Sequence, residues 1–290
     1  MRVTQQMMQQ NSIRQMNQNL DRFNKINNQV ASGNKIQRPS DDPNGVSKAM
    51  NLKSALAANE QYDRNTTETK LWMDETDQTI GEMVDVMQRV RELAVKGTTG
   101  TLNDTDRQAI QAEVTQLAEQ MRTFGNSQVN GKYLFNGTNV KEAPFPSEGK
   151  IDMNALAINQ DSKMFAIGDG VSIKGNVTAD ELFGTKDANI FATLSKISED
   201  ISSADLSEID ADMNRMLSAA AINGARLNRV EAVENRVADS NIQLKSMLSK
   251  IEDVDYAEAM IQLKSEESVY QATLAASAKI IQPSLMDFLR

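Results

Sequence analysis

The sequence predicts a mainly α protein with a small β-rich insert, an elongated rod of long heptad-patterned helices built from both chain ends. Three observations carry this. Apolar residues recur at alternating three- and four-residue spacings through most of the 290 residues, which is how helices that face a partner helix are written. Only residues near 137–186 switch to strand-like alternation, and glycine and proline punctuate that stretch. Aromatic residues make up 4% of the chain against 40% for all apolar residues. Leu, Ile, Val, Met and Ala must therefore do the packing, as in coiled coils rather than in a thick core.

The first helix carries Ile13, Met16, Leu20, Phe23 and Val30, a heptad seam in which Asn27 replaces one apolar position. Gly33 stands where a helix C-cap is expected. The run Pro39-Ser40-Asp41-Asp42-Pro43 cannot continue that helix and reads as the start of a second, with Asp42 as N-cap and Pro43 at the first helical position. Asp41-Asp42 could also be read as a metal or acid pair, but no other ligands cluster around it, and capping is the reading adopted.

The second helix passes Val46, Met50, Leu56 and Leu71, then settles into Met73, Ile80, Met83, Met87, Val90 and Ala94. Its middle, Asn59 to Thr69, is almost wholly polar and is expected to be exposed or locally irregular. Gly97 and Gly100 are expected to break it. Asp104 is expected to cap a third helix, with Ile110, Val114, Leu117, Met121 and Phe124 on one face.

At Asn130-Gly131 the period changes. Tyr133-Leu134-Phe135 is a short apolar run. Met164-Phe165-Ala166-Ile167, Gly168-Asp169-Gly170 and Val171-Ser172-Ile173 read as a hairpin with a short turn. Gly-Asp-Gly lacks the Lys-Ser/Thr ending of a phosphate loop.

Helical character returns at Ile190, Leu194, Ile197 and Ile201. A helix of about 46 residues, roughly 70 Å by its rise per residue, follows. Its seam is Leu206, Ile209, Met213, Met216, Ala220, Leu227, Val230, Val237, Leu244, Leu248 and Ile251, with Asn223, Glu234 and Asn241 also on it. A last helix carries Ala257, Ile261, Leu274, Ala278 and Ile281, and the sequence closes on Leu285, Met286, Phe288 and Leu289. Apolar residues so placed are expected to dock onto something.

Three parts follow: a terminal coiled-coil arm from residues 1–40 and 255–290, a helical rod from 41–136 and 187–254, and a β-rich insert at 137–186. The first forty residues hold six basic side chains, Arg2, Arg14, Arg22, Lys25, Lys35 and Arg38, against one acid, Asp21. The last forty hold seven acids against Lys264, Lys279 and Arg290. Opposite signs predict that the two ends lie side by side. A two-helix arm buries only a narrow seam. At about 1.5–3 kcal/mol per buried apolar side chain against about 1–2 kcal/mol of backbone entropy per ordered residue, the sum is near zero. The isolated arms are expected to be mobile and to order against neighbouring copies. The expected subunit contacts are Ile13, Met16, Leu20, Phe23, Val30, Ile261, Leu274, Ile281, Leu285, Phe288 and Leu289.

Composition excludes several activities. The chain has no His and no Cys, so His/Cys zinc sites, Cys–His or Ser–His nucleophile pairs, an imidazole base and disulfides are out of reach. No cofactor, metal ligand or catalytic residue is expected, and the chain reads as a non-enzyme. A net charge of −9 and a pI near 4.8 oppose nucleic-acid binding. No apolar run approaches the roughly 20 residues of a membrane span, and Met1 to Ser12 has no apolar core of the kind a cleaved secretory signal needs.

Particular segments then resemble the flagellin superfamily. They are Ser32-Gly33-Asn34-Lys35-Ile36 leading to Asp41-Asp42; Arg91-Glu92-Leu93-Ala94-Val95, Thr105-Asp106-Arg107, Ile110-Gln111-Ala112-Glu113 and Leu117; and Asp255-Tyr256-Ala257 through Gln271-Ala272 to Leu289-Arg290. Three more resemble subunits of the hook–filament junction rather than filament subunits: Tyr133-Leu134-Phe135-Asn136-Gly137-Thr138, the insert ending Asn176-Val177-Thr178 to Phe183-Gly184, and Ser284-Leu285-Met286-Asp287-Phe288-Leu289. Met286 stands where that closing pattern has Leu, a volume-conserving change.

The resemblance implies a structural subunit, secreted through the flagellar type III apparatus and placed at the hook–filament junction of the extracellular flagellum. Its implied partners are copies of itself in a ring or helical layer, a hook-side junction adaptor, filament flagellin, and an export chaperone on the C-terminal helix. The rival readings are a filament-forming flagellin with a small variable domain, a signalling or cytoskeletal coiled coil, and an enzyme. The last has neither a histidine nor a paired carboxylate in a cleft to stand on.

Overall fold

A computed structural model describes residues 2–99, 103–146, 149, 151, 158–185 and 188–281. The chain divides into two compact units, one of residues 1–58 with 241–290 and one of residues 59–240. Helices α2 (Pro43–Thr98) and α6 (Leu206–Glu252) contribute residues to both.

In the terminal unit α1 (Arg2–Ser32) lies antiparallel to α7 (Tyr256–Ile281). Ser12 meets Ser277, Asn19 meets Thr273 and Arg22 meets Glu266, so one helix rises as the other falls. Gly33 ends α1 at φ +75°, and its N–H donates to the Gln29 carbonyl at 2.9 Å. The next residues form a short antiparallel bridge to the end of α6: Lys35 N–H donates to the Glu252 carbonyl at 2.6 Å, and Val254 N–H to the Gly33 carbonyl at 2.9 Å. A side chain on Gly33 would place its Cβ 2.8 Å from the Tyr256 hydroxyl. The position therefore requires glycine both for its backbone angle and for its neighbour.

The second helix begins as the sequence predicts. Pro43 is its first residue, and Asp42 Oδ1 accepts from the Asn44 N–H at 3.1 Å. Asp41 instead closes the loop before it. Its carboxylate accepts from the Gln37 and Arg38 N–H groups and pairs with Lys25 at 3.1 Å. Those hydrogen bonds, Lys25's foremost, hold the Asp41 carboxyl below its ordinary range.

The larger unit is built on α2 and α6 running antiparallel. The ladder of contacts is Asn59–Val237, Lys70 with Glu231 and Glu234, Asn223–Met73 and Arg91–Asp210. Met73, Ile80, Met83, Met87, Val90 and Ala94 are all buried, as their spacing predicts. Helix α3 (Asp104–Gly125) buries Val114 and Met121 and rests Ile110, Leu117 and Phe124 against the same core.

Strands β1 (Gln128–Val129) and β2 (Lys132–Tyr133) pair across the Asn130-Gly131 turn, where both residues take positive φ. Strands β3 (Met164–Gly168) and β4 (Val171–Lys174) form the second hairpin, with Phe165 opposite Ile173 and an irregularity between Ala166 and Gly168. Phe165, Ile167 and Ile173 pack on Met73, Val230, Val233 and Val237, so this hairpin closes its core on α2 and α6. The Lys163 ammonium caps the joint, 4.0 Å from the Trp72 ring centroid and 4.7 Å from that of Phe165. Helices α4 (Ala179–Phe183) and α5 (Ile190–Glu199) complete the unit. Phe135, Phe145, Phe183 and Phe191 contact one another there, concentrating half of the chain's eight phenylalanines at one place.

Several expectations are corrected. Asn59 to Thr69 is not irregular, and although Glu60, Gln61, Asp63, Arg64, Thr67 and Glu68 are exposed, one face of it is buried. Helix α2 runs through it unbroken, and Asn59, Thr66 and Thr69 are buried. Small side chains make this possible: Thr66 and Thr69 donate back to the carbonyls of Tyr62 and Asn65, and Asn59 reaches the Val237 carbonyl. Met50 and Leu71, expected on the seam, are exposed. Gly97 lies inside α2, where a Cβ would fall 2.0 Å from Ile201 Cγ1; it serves close packing rather than a break. Gly100 lies outside the described residues. Asn103, not Asp104, occupies the N-cap of α3, and Asp104 opens the helix.

Candidate assembly surface

The contact between α1 and α7 is narrow and mixes apolar with polar side chains. Its α7 face is Ala259, Leu263, Glu266, Tyr270, Thr273 and Ser277, at spacings alternating four and three. Facing it on α1 are Ser12, Met16, Asn19, Phe23, Ile26 and Val30. Ser12 and Ser277 hydroxyls lie 2.7 Å apart, and Asn19 Nδ2 donates to Thr273 Oγ1 at 2.7 Å. Phe23 stacks on Tyr270 with ring centroids 6.4 Å apart and planes 16° from parallel. Arg22 and Glu266 approach at 3.6 Å, the one direct ion pair between these helices among the described residues. Arg22 also donates to Asn19 Oδ1, which orients the amide. Exposed pairs of this kind contribute about 0–1 kcal/mol each.

The expected contact residues therefore separate into two groups. Met16, Leu20, Phe23 and Val30 are half-buried in or beside the α1–α7 seam. Ile13 is exposed, and Ile261 and Leu274 are 72% and 41% exposed on the outer side of α7. Ile261 and Leu274, expected as subunit contacts, lie off the α1–α7 seam: the helix turns inward Ala259, Leu263, Glu266, Tyr270, Thr273 and Ser277 and leaves Met260, Ile261, Val269 and Leu274 outside. The signal that could have found this was Asn19. It is buried on α1, and its amide finds its partner in the Thr273 hydroxyl. The Ile281 side chain and residues Leu285, Phe288 and Leu289 lie outside the described residues.

The consequence is a marked contrast between the units. Among the described residues of the terminal unit, the only buried apolar side chains are Ala49 and Ala259. Met7, Met8, Met247, Met260, Val269 and Ile242 are exposed there together with Ile261. The larger unit has a closed core from Trp72 to Val237. Exposed apolar groups of this kind are candidates for contact with another surface.

Charge adds direction. Lys35, Lys48 and Lys250 of the terminal unit line one groove with Lys25, Asp41 and Asp42, and these three lysines form no ion pair among the described residues. No group of three or more His, Cys, Asp or Glu that could hold a metal ion occurs among the described residues. Among the described residues no helix is long and apolar enough to cross a membrane. The surface offers apolar contact and charge.

Comparison with known proteins agrees with this geometry. The bacterial flagellin N-terminal helical region matches residues 3–140, and the flagellin C-terminal helical region matches residues 206–289. The flagellar hook-associated protein 3 of Escherichia coli is 27% identical over 95% of this chain and 96% of its own. A flagellin of Bacillus subtilis is 29% identical over 97% of each chain. A solved candidate flagellar hook-associated protein from Vibrio parahaemolyticus superposes with a TM-score of 0.63 at 21% identity, over 73% of this chain and all of that one. This last likeness concerns the fold.

Proposed function

Because the chain belongs to the flagellin family, we propose that it is a structural subunit of the bacterial flagellum that joins hook to filament and assembles through its terminal helices. The observation that carries this reading is the set of outward-facing apolar residues on α7, with Ile261 72% exposed in a unit that buries little apolar surface of its own. A subunit of an assembly has that surface covered by its neighbours. The partners are then copies of itself, a hook-side adaptor and filament flagellin. The exposed apolar side of the C-terminal helix is also the segment an export chaperone would shield before secretion. The likeness to a hook-associated protein over almost the whole of both chains supports the junction assignment.

The second reading is a filament-forming flagellin, favoured by the 29% identity to the Bacillus subtilis protein. Deleting the gene separates the two. Under the junction reading, hooks remain on the cell and filament flagellin is shed into the medium. Under the filament reading, the cell makes no filament and the medium contains no other flagellin. Asp41 and Asp42, which could be read as an acid pair, have structural roles. One closes a loop on Lys25 and the other caps α2.

A further inference from the structure

We propose that Asn130 is a self-modifying site of the chain: its side-chain amide is converted to a carboxylate by attack of the Gly131 main-chain nitrogen, with water as the only co-reactant. The sequence holds four Asn-Gly pairs, whose asparagines are Asn44, Asn130, Asn136 and Asn223. All four have the composition for this chemistry, because glycine leaves the attacking nitrogen unshielded by a side chain. The structure separates one of them from the other three.

The reaction sets the geometric terms. The glycine nitrogen gives its proton to hydroxide and attacks Cγ of the preceding asparagine. The new C–N bond closes a succinimide ring, and the side-chain nitrogen leaves as ammonia. Water then adds to one of the two ring carbonyls and reopens the ring. Cleavage at the side-chain carbonyl gives aspartate; cleavage at the main-chain carbonyl gives isoaspartate, whose main chain runs through Cβ and Cγ. Water is consumed, ammonia is released, and nothing is oxidised or reduced. The chemistry therefore needs an unbound main-chain N–H, an unbound side-chain amide, and a backbone free to turn.

Asn130 meets all three terms. It is exposed at the tip of the β1–β2 hairpin, with φ +50°, and Gly131 follows at φ +74°. Among the described residues neither the Asn130 amide nor the Gly131 N–H has a hydrogen-bond partner. A Cβ built on Gly131 meets nothing within 4 Å, so the nitrogen is open to approach. Each strand of the hairpin is only two residues long, and so short a ladder holds its turn weakly.

The other pairs are held. Asn136 is buried, donates to the Glu142 carbonyl at 3.0 Å and accepts from the Asn159 N–H at 2.9 Å. A Cβ at Gly137 would strike the Asn159 main chain. Asn223 is buried and donates to the Met73 carbonyl. Asn44 is exposed, but Gly45 beside it is buried against Ile36 and Asp42. Asn44 and Asn223 also lie within α2 and α6, and closing the ring would force their ψ out of the helical range.

The products act on the hairpin. Isoaspartate lengthens the main chain of a turn that sets Val129 opposite Lys132, and turn length fixes the register of a hairpin. Conversion to isoaspartate therefore unpairs β1 from β2.

The full-length chain tests this. It is held in mildly alkaline water enriched in heavy oxygen, once folded and once in denaturant, and its peptides are mapped by mass spectrometry. Isoaspartate is counted separately with an isoaspartate-specific carboxyl methyltransferase and a labelled methyl donor. In the folded chain, heavy oxygen should enter residue 130 at least several-fold faster than residues 44, 136 and 223. In denaturant the four rates should converge. Asn130→Gly, which suits the positive φ of the turn and lacks the amide, should remove the methyl-accepting site from the folded chain. Equal rates at the four pairs in the folded chain, or a folded Asn130 that stays unlabelled, overturns the proposal.

Discussion

Asn223 on α6 donates from Nδ2 to the main-chain carbonyl of Met73 on α2 at 2.9 Å, at a point where both residues are buried. The bond fixes the register of the two antiparallel helices, because sliding by one turn would leave the amide without an acceptor. Asn223→Ala should therefore destabilise the larger unit by about 1–3 kcal/mol, the cost of losing a buried hydrogen bond together with its packing. Denaturant unfolding of the full chain measures this. A change within experimental error would mean that the amide sets nothing.

Two glycines in α2 should respond in opposite ways. A Cβ at Gly97 would fall 2.0 Å from Cγ1 of Ile201, which is buried and has no room to retreat. Gly97→Ala should cost about 1–3 kcal/mol through overpacking. A Cβ at Gly81 meets nothing within 4 Å. Gly81→Ala should stabilise by about 0.4–1 kcal/mol through the chain entropy it removes. Unfolding midpoints of the two variants, moving in opposite directions, check the pair.

Acidity should act through Asp212. Its carboxylate is 3% exposed and accepts from Thr193 Oγ1 at 2.8 Å and Arg215 Nη1 at 2.7 Å. Burial raises its pKa, outweighing the lowering by Thr193 and Arg215. A carboxyl whose folded pKa lies above its unfolded one binds protons more tightly when folded. Its contribution is thus most favourable below the unfolded pKa and declines as pH rises through the folded one. In Asp212→Asn this dependence is gone. The stability of the wild type relative to the variant should improve as pH falls from neutral into the carboxylate range, and a relative loss on acidification would contradict the assignment.

A chain trimmed to residues 33–254 keeps every residue of the 59–240 unit and loses both terminal helices. It should remain helical, monomeric and cooperatively unfolding, because Trp72, Met83, Phe135 and Phe183 close their core without either terminal helix. Circular dichroism and sedimentation measure this, with a molten or aggregated product as the opposing result.

The heptad seams were readable wherever apolar residues alone decided burial. Met73 to Ala94 on α2 and Val114 to Met121 on α3 sit as their spacing demands. The hairpin of Phe165 and Ile173 was readable for the same reason, with a period of two. Reading failed where polar residues hold the seam. Asn59, Thr66 and Thr69 are inside because their hydrogen bonds close on backbone carbonyls, which apolar periodicity does not register. The inner face of α7 was illegible for the same reason. Thr273 and Ser277 face α1 through partners on the other helix, and a helix's own sequence does not show which stripe its neighbour can satisfy. Ile261 and Leu274 were legible as candidate subunit contacts from their apolar character, and the structure leaves both exposed.

The central claim is that this outer face of α7 is where subunits meet. Ile261→Asp in the full chain tests it, because the side chain is already 72% exposed and its loss removes no internal packing. The measurement is the ratio of filament flagellin in the medium to that on the cell, with incorporation of the variant into isolated flagella measured in parallel. The account predicts a variant with the wild-type unfolding midpoint that is secreted but not incorporated, and flagellin shed into the medium as in the gene deletion. Wild-type incorporation with filaments retained on the cell would contradict it.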